Sequence, residues 1–346
     1  MQTLFNIINV PFSYALKFFS DIFGGSFAAA VFFFTLLINL ILIPLTIKSQ
    51  KSSVQQTRIK PKLDDLRARY GDDKQKIAEE TQKLYQAEGV SMSGGCLPMI
   101  VRMLLIFSIY YLIMSPLTYL EGVDKNVVNN VTTAVSDGMT ELKKSNPDKY
   151  DELSKEIALQ KNNANQLTVV KLVREYPDAI KEIVGEEKYA EIKDDFNTIV
   201  EKDKENRINY NLFGVDLTEK PVFSFDIFHD FETIWLLPIF AFLAQMLTSV
   251  ISMLIQKKNM PEAPNMAGMM LTMPLLSLFI GFTFPGGVCF YWICSSLIGG
   301  LIQSILQIFY GPHRMLARER AKELGKRCDF EKKQLEKFNG VSENIE

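Results

Sequence analysis

Uncharged segments long enough to cross a membrane alternate along this chain with strongly charged ones. The residues between Asp21 and Lys48 carry no charge, and neither do those from Ala263 to Pro312. A helix of about twenty apolar residues crosses a hydrocarbon core of about 30 Å and satisfies its own backbone hydrogen bonds there. The second segment is too long for one crossing, and its Phe284-Pro285-Gly286-Gly287 sequence indicates a tight turn between two spans. The sequence therefore predicts an all-α polytopic membrane protein.

Five transmembrane helices are predicted, with polar segments between and around them. The spans are 24–47, 96–120, 231–256, 267–284 and 288–310, and the other segments are 1–23, 48–95, 121–230, 257–266 and 311–346. Lys and Arg are concentrated in 48–95, at Lys257 and Lys258, and in 311–346. The positive-inside rule places these three segments in the cytoplasm. The N-terminus and 121–230 then lie outside, and the C-terminus lies in the cytoplasm.

The N-terminal segment 1–23 is predicted to be an amphipathic helix in the membrane interface. Its apolar residues recur at helical spacing at Leu4, Ile7, Ile8, Phe12, Leu16 and Phe19. The segment lacks the basic start and the cleavage site of a secretory signal peptide. A disordered leader is the alternative interpretation.

The cytoplasmic segment 48–95 is predicted to form a helical hairpin. It contains ten Lys or Arg and seven Asp or Glu residues, with helical patterns over 54–70 and 73–89. Gly71 is expected to end the first helix, and Asp72 or Asp73 to cap the second. Such a hairpin suits contact with partners or lipid headgroups. The basic tail 311–346 is explained equally well by membrane anchoring, lipid binding or ribosome binding.

The outer segment 121–230 reads as a small helical insert. It carries 15 basic and 23 acidic residues, with short helical patterns at 177–183 and 187–200. Its apolar residues are too few to predict a large core. It contains no recognisable constellation of catalytic residues.

Cofactor chemistry finds no support in the sequence. The four cysteines, at positions 96, 289, 294 and 328, form no CxxC pair, and there are only two histidines. They are expected to be packing or surface residues, with no disulfide framework or metal site. GxGxxG, Walker and HExxH motifs are absent. We therefore expect no cofactor, no enzymatic activity and no DNA partner.

Arg102 is the most informative single residue, because it lies a few residues inside the second span. A guanidinium within a membrane costs roughly 2.5–3.5 kcal/mol on insertion scales, so it usually faces protein or a water-filled cavity. The alternative is snorkelling, in which the long side chain carries its charge to the nearby cytoplasmic interface.

Other polar residues in the spans extend this candidate site. Asn39 lies in the first span, and Gln245, Thr248 and Ser252 follow one helical face of the third. The fifth span contributes Tyr291, Trp292 and Ser295. Hydrogen bonds between helices would explain the polar residues equally well, and an interfacial aromatic belt would explain Tyr291 and Trp292.

Four stretches of the chain carry a family resemblance. They are Ile43-Pro44-Leu45-Thr46; Lys60-Pro61-Lys62-Leu63 followed by Tyr70-Gly71-Asp72-Asp73; Gly94-Gly95-Cys96-Leu97-Pro98; and Met273-Pro274 with Phe284-Pro285-Gly286-Gly287 and Phe290-Tyr291-Trp292. In order and spacing the chain resembles the YidC/Oxa/Alb family of membrane protein insertases over 25–120 and 209–312. Residues 121–208 match nothing in that pattern.

The resemblance implies a fold and an activity. Five helices would enclose a positively charged hydrophilic groove, open to the cytoplasm and the lipid and closed to the outside. The protein would move nascent membrane proteins from the cytoplasm into the bilayer of a bacterial plasma membrane, without a cofactor. The Sec translocon and the ribosome are candidate partners. Tyr291 and Trp292 match family positions that face the substrate.

The chain departs from the family pattern at the charge itself. The family's arginine position in the first span is occupied by Asn39, whereas a position that is commonly glutamine in the second span is Arg102. Our hypothesis is that the charge has moved to the second span within the same groove, with Asn39 as a hydrogen-bonding partner. A transporter or channel with Arg102 as substrate counter-ion, and a non-catalytic translocon scaffold, are the rival functions.

Overall fold

The structure is a computed structural model, and it describes residues 2–71, 73–90, 97–156, 164–221, 231–259, 267–309, 317, 321–322 and 324–335. The fold is predominantly helical. Among the described residues the only strands are β1 (Asn211–Leu212) and β2 (Val215–Asp216), which form an antiparallel hairpin. The chain divides into two compact units, one of 1–40, 102–248 and 271–299, the other of 41–101, 249–270 and 300–346.

Five helices have predominantly apolar sequences. They are α2 (Phe27–Ile41), α5 (Leu97–Met114), α12 (Leu236–Asn259), α13 (Ala267–Gly281) and α14 (Gly286–Phe309). Each of them also leaves large apolar side chains exposed. On α12 these include Phe240, Leu243 and Leu247, and on α14 Leu297 and Leu301. In water such faces would be an aggregation liability, but hydrocarbon is their natural solvent.

Membrane crossing is supported by length and composition for two of these helices. Residues Thr233–Ile255 and Gly286–Phe309 each qualify as a span, and Phe27–Ile41 with Ile43–Ser52 qualifies as a third if the bent pair is one crossing. In α5, the shorter stretch Met103–Met114 is apolar but below span length. The described residues thus support two or three spans, and the count of five stays a prediction.

The N-terminal residues Gln2–Ile22 form helix α1. Part of its predicted apolar face contacts α2 rather than solvent, because Phe12 meets Phe34 with ring centroids 5.2 Å apart. Leu16 on the same face is buried. Among the side chains of α1 that the structure describes, the exposed apolar ones are instead Val10, Tyr14, Phe18 and Ile22, one turn apart. The interfacial position of α1 stays a prediction.

A short loop joins α1 to α2 and is held by the chain that follows the insert. The Asn209 amide donates to the Gly25 carbonyl at 2.8 Å, and the Phe27 amide donates to the Asn209 carbonyl at 3.0 Å. Gly25 has φ +82°, and a Cβ there would lie 2.9 Å from the Arg207 carbonyl oxygen. Glycine is therefore required at this position on both counts.

The insert is built from helices that follow α5. They are α6 (Pro116–Tyr119), α7 (Lys125–Ser145), α8 (Pro147–Glu156), α9 (Gln166–Glu175), α10 (Ala179–Val184) and α11 (Glu186–Asn206). Their termini follow local rules: Asp124 caps α7, and Asn165 forms a capping box with Thr168 at the start of α9.

The insert has a larger core than its composition predicts. One cluster of buried side chains runs through α6 to α11, and it includes Val131, Val135, Leu172, Ile180 and Ile199, each fully buried. The expectation of a thin core was wrong. Several helices, each contributing one narrow apolar stripe, can together enclose a core that no single stripe reveals.

The second unit contains a helical hairpin of α3 (Ile43–Tyr70) and α4 (Lys74–Ala87). Gly71 ends α3 with φ +54°, and the Asp73 side chain caps α4 through the Lys76 amide, as the sequence predicts. Lys62 on α3 pairs with Glu88 after α4, and this hydrogen bond lowers the pKa of the Glu88 carboxyl.

The first hairpin helix begins at Ile43, earlier than the predicted 54–70. Pro44 lies in its first turn, where the missing N–H costs nothing. In a helix continuing from α2, the same proline would clash with the preceding turn. The break therefore falls at Leu42, and the helix runs without interruption from the end of the apolar segment into the charged one.

Residues 260–266, residues 222–230 and much of the tail lie outside the described residues, as do Cys96, His229 and His313. The predicted loop 257–266 therefore falls largely outside them. Of the remaining cysteines, Cys289 and Cys294 are buried free thiols and Cys328 is exposed.

The Gly138→Ala substitution is expected to loosen the insert core. A Cβ at position 138 would lie 2.2 Å from the Ile183 carbonyl oxygen, so α7 and α10 must separate. Overpacking of this kind costs about 1–3 kcal/mol. Backbone hydrogen exchange in α7 and α10 of the full-length protein should therefore accelerate. Gly325→Ala, which meets nothing within 4 Å, is the control. Unchanged exchange in Gly138→Ala would contradict the packing described here.

Candidate functional site

Arg102 lies on α5, in the first compact unit. Its backbone is helical, and its side chain is outside the described residues. Ser108 on the same helix is fully buried, and its hydroxyl has no hydrogen-bond partner among the described residues. Ser108 is not recognisable from the sequence, because one serine in an apolar run carries no functional signal.

Asn39 lies near the end of α2 and is half-buried. Its side-chain amide donates to the Thr35 carbonyl oxygen at 2.8 Å, one turn earlier in the same helix. Thr35 itself is buried, and its hydroxyl donates to the Val31 carbonyl oxygen at 2.6 Å. The Thr35 hydroxyl donor and one N–H of the Asn39 amide are thus used within the helix. The carbonyl oxygen of the Asn39 amide is chemically suited to accept from a further donor.

Gln245 on α12 is bonded to a neighbouring helix. Its side-chain oxygen accepts a hydrogen bond of 2.7 Å from the Ser277 hydroxyl of α13, which is also within reach of the Pro274 carbonyl oxygen. Gln245 is half-buried and Ser277 is buried. The interhelical hydrogen bond that the sequence left as an alternative for Gln245 is therefore confirmed, with Ser277 as a partner that sequence reasoning missed.

The other two polar residues of the α12 stripe have different settings. The Thr248 hydroxyl lies 3.0 Å from the carbonyl oxygens of Ala244 and Gln245, so its hydrogen bonding is within its own helix. Ser252 is half-buried and belongs to the second compact unit, whereas Gln245 and Thr248 belong to the first.

The aromatic residues of α14 are buried in protein. Trp292 packs edge-on against Phe284, with centroids 5.9 Å apart, and Phe284 packs in the same way against Tyr110 of α5 at 5.3 Å. Tyr291 is buried, and Ser295 is half-buried one turn further along. The indole N–H of Trp292 has no hydrogen-bond partner among the described residues. This geometry differs from a simple lipid-facing belt, because both aromatic side chains are shielded.

Gly287 positions the start of α14 against three other segments. A Cβ at this position would meet the side chains of Ile113 at 2.9 Å and Phe27 at 3.2 Å, and the Leu217 carbonyl oxygen at 3.2 Å. The Gly287 amide donates to that same carbonyl at 2.7 Å. Close approach of α2, α5 and α14 thus depends on the absence of a side chain here.

These observations define a class of protein. Helices with exposed apolar faces also carry polar side chains that are partly or fully buried and bonded within or between helices. They belong to a multi-pass helical membrane protein.

The family follows from sequence comparison. The profile of the 60Kd inner membrane protein family matches residues 18–311, most of the chain. The chain therefore belongs to this family, which is the YidC/Oxa/Alb family that its sequence motifs resemble.

Curated relatives match over shorter segments. The protein named membrane protein insertase YidC 1 of Listeria monocytogenes is 38% identical over 104 residues, which is 29% of this chain and 36% of the relative. Membrane protein insertase YidC of Clostridium perfringens is 37% identical over 30% of this chain and 44% of its own length. The protein of that name in Fusobacterium nucleatum is 30% identical, over 33% of this chain and 56% of its own. The matched segments thus span about a third to a little over half of these relatives.

The hydrogen bond between Gln245 and Ser277 should contribute measurably to helix packing. Interhelical hydrogen bonds in membrane proteins contribute about 0.6 kcal/mol on average and up to about 1.7. Gln245→Leu, Ser277→Ala and the double variant should give a coupling energy in this range from unfolding in detergent. The matched control is a second cycle, in which Thr248→Val takes the place of Gln245→Leu. Because Thr248 bonds within its own helix, the effect of Thr248→Val should add to that of Ser277→Ala. Additive effects in both cycles would contradict an energetic role for the bond.

Proposed function

We propose that this protein is a membrane protein insertase and chaperone, which moves transmembrane segments from the cytoplasm into the lipid bilayer. The observation that carries the proposal is family membership over 18–311, with relatives that are named membrane protein insertases. The exposed apolar faces and shielded polar residues of the spans support the same function, since an insertase must offer an incoming chain both environments.

In the proposed orientation the protein lies in a bacterial plasma membrane, with its N-terminus and insert outside and its C-terminus in the cytoplasm. The charge distribution supports this arrangement. The hairpin 48–95 has ten Lys or Arg, whereas the segment 121–230 has more acidic than basic residues. Basic segments are retained on the cytoplasmic side.

The proposed site is a hydrophilic groove that contains Arg102, Asn39, Gln245 and Thr248. Tyr291 and Trp292, at the family's substrate-facing positions, are buried in this structure and would support the wall of the groove. A polar or acidic N-terminal tail of the substrate would enter it from the cytoplasm. At an effective dielectric constant near 20, an ion pair at 4 Å gives about 4 kcal/mol of Coulomb attraction before desolvation. Arg102 would therefore offset part of the cost of bringing a carboxylate into the membrane, while leaving the binding reversible.

Transfer into lipid supplies the driving force in this mechanism. The apolar segment of the substrate gains about 0.8 kcal/mol for each CH₂ group that leaves water. A membrane potential that is positive outside adds roughly 2.3 kcal/mol per charge per 100 mV for an acidic tail that moves outward. These terms require no nucleotide and no covalent step.

The position of the charge distinguishes this chain from the family pattern. We infer that Arg102 on α5 replaces the arginine that the family carries at the position of Asn39 on α2. The half-buried position of Asn39 and its free acceptor capacity are compatible with a hydrogen-bonding role toward the groove. The hairpin and the basic tail would capture substrate at the cytoplasmic surface, with the Sec translocon and the ribosome as candidate partners.

Arg102→Ala is expected to abolish insertion of a short substrate with an acidic tail, in cells depleted of their own insertase. Loss of the ion pair removes the main compensation for carboxylate entry. The double variant Asn39→Arg with Arg102→Gln should restore insertion, because it moves the charge back to the first span. Membrane levels of each variant are measured by immunoblot. Normal insertion by Arg102→Ala would identify the arginine as a snorkelling anchor.

Water access provides an independent test of the groove. In a variant whose four native cysteines are replaced, Thr248→Cys should react with a membrane-impermeant maleimide applied from the cytoplasmic side. Leu247→Cys, on the exposed apolar face of the same helix, is the matched control and should stay unlabelled in lipid. Equal labelling of both positions would contradict a groove in which water reaches the Thr248 face of α12 and not the Leu247 face.

Reconstitution separates the insertase from its rivals. Purified protein in liposomes should insert the substrate without other proteins. Flux of small solutes would instead favour a transporter or channel, and the absence of both activities would favour a translocon scaffold.

A further inference from the structure

A buried charged cluster lies where the insert meets the end of the second apolar segment. Arg174 of α9 donates to Glu121 at 3.0 Å and to Asp203 of α11 at 2.7 Å through Nε and 2.6 Å through a terminal nitrogen. Its other terminal nitrogen donates to the Ile208 carbonyl oxygen at 2.9 Å. Glu121 is fully buried and Asp203 is 4% exposed. One guanidinium therefore joins two carboxylates and the chain segment that leaves the insert.

The cluster is linked to three neighbouring segments. The Asn206 side chain donates to the Glu121 carbonyl oxygen at 3.2 Å, and Lys17 of α1 donates to Asn206 at 2.9 Å. The Arg174 guanidinium lies over the ring of Tyr210, with its central carbon 5.8 Å from the ring centroid. The same ring packs against Phe27 at the start of α2. Contacts from this one cluster thus hold α1, α2 and the segment after α5 against the insert.

The charges in the cluster do not cancel. Two carboxylates share one buried guanidinium, and the second oxygen of Glu121 has no hydrogen-bond partner among the described residues. The same is true of the Tyr210 hydroxyl. A buried charge without compensation is costly, so such sites favour uptake of a proton.

We propose that Arg174, Glu121 and Asp203 form a proton-sensitive lock, by which the insert fixes the outer end of the helix that carries Arg102. Arg174 acts as a positioning residue, and Glu121 is the group that gains or loses the proton. Residues 121–208 are the part of the insert that the family pattern does not cover. The lock gives this part a role. The existence of the lock is argued from the cluster alone. The effect of the lock on insertion rests on the proposed function.

The direction of the pH response follows from the surroundings of Glu121. Burial raises its pKa from 4.5 to about 7, and the Asp203 carboxylate adds to this shift, whereas Arg174 and Arg207 oppose it. Two further titratable groups lie near the cluster. Lys17 reaches it through Asn206, and Tyr210 faces it from the segment that follows α11. In an open state, with Glu121 exposed to water, its pKa would return to 4.5. Between pH 4.5 and 7, Glu121 is therefore protonated in the closed lock and ionised in the open state. The stability of the closed lock therefore falls as the pH rises through this window and levels off above it.

Hydrogen exchange of the full-length protein in discs of phosphatidylethanolamine and phosphatidylglycerol tests the lock. After correction for intrinsic rates, protection of the amides from 117 to 123 and of Asn209 should fall by on the order of tenfold or more between about pH 5 and about pH 8. Glu121→Gln mimics the protonated form and should abolish this dependence. Glu141→Gln, an exposed pair with Lys188 on the insert surface, is the matched control and should keep it. Arg174→Lys, which keeps the charge but loses the planar fork, should retain the pH dependence with weaker protection.

A pH-independent profile in the unchanged protein, or an unaltered profile in Glu121→Gln, would overturn the lock. Insertion by proteoliposomes at the two pH values provides the second measurement, with pH dependence expected for the unchanged protein and lost in Glu121→Gln. If no variant inserts substrate at any pH, the proposed function fails. The exchange profile still decides the lock in that case.

Discussion

The solvent around the spans is the constraint on which the rest of this structure depends. Hydrocarbon accepts apolar side chains and offers nothing to a backbone or a polar group. The apolar segments therefore form helices, and residues such as Phe240, Leu243 and Leu247 can remain exposed on α12. Polar side chains must then find partners inside the protein. The bonds from Thr35 to its own helix and from Ser277 to Gln245 are two solutions to that requirement.

The same constraint gives the proposed groove its chemical meaning. A polar residue in a span is costly, and it persists either because it holds helices together or because it serves a substrate. Gln245 holds two helices together through Ser277 and is also proposed to line the groove, whereas Arg102 is proposed to serve the substrate. The shielded aromatic series of Tyr110, Phe284 and Trp292 joins two of the helices that would flank such a site. An insertase needs both a rigid frame and a site that tolerates charge, and these residues divide the two tasks.

The insert buries its apolar side chains in a core of its own, and it meets the apolar helices at a buried charged cluster. Arg174 is the centre of that contact because its planar guanidinium can bond to several acceptors at once. A point charge such as lysine could not reach Glu121, Asp203 and the Ile208 carbonyl with the same geometry. The insert is thus connected to the apolar helices by directional bonds as well as by apolar packing.

Local signals in the sequence were sufficient for the class of protein, the apolar segments, the turn at Gly71, the cap at Asp73 and the turn at Phe284-Pro285-Gly286-Gly287. Each of these depends on residues that are close in the chain, so backbone preference and hydropathy determine it. Tertiary structure alone revealed the core of the insert, the bond between Gln245 and Ser277, the close approach at Gly287 and the cluster around Arg174. Glu121 and Arg174 are separated by 53 positions, and no local pattern links them. Their contact exists because the helices of the insert pack around a shared core, and the energy of that packing depends on three-dimensional neighbours that a linear pattern does not contain.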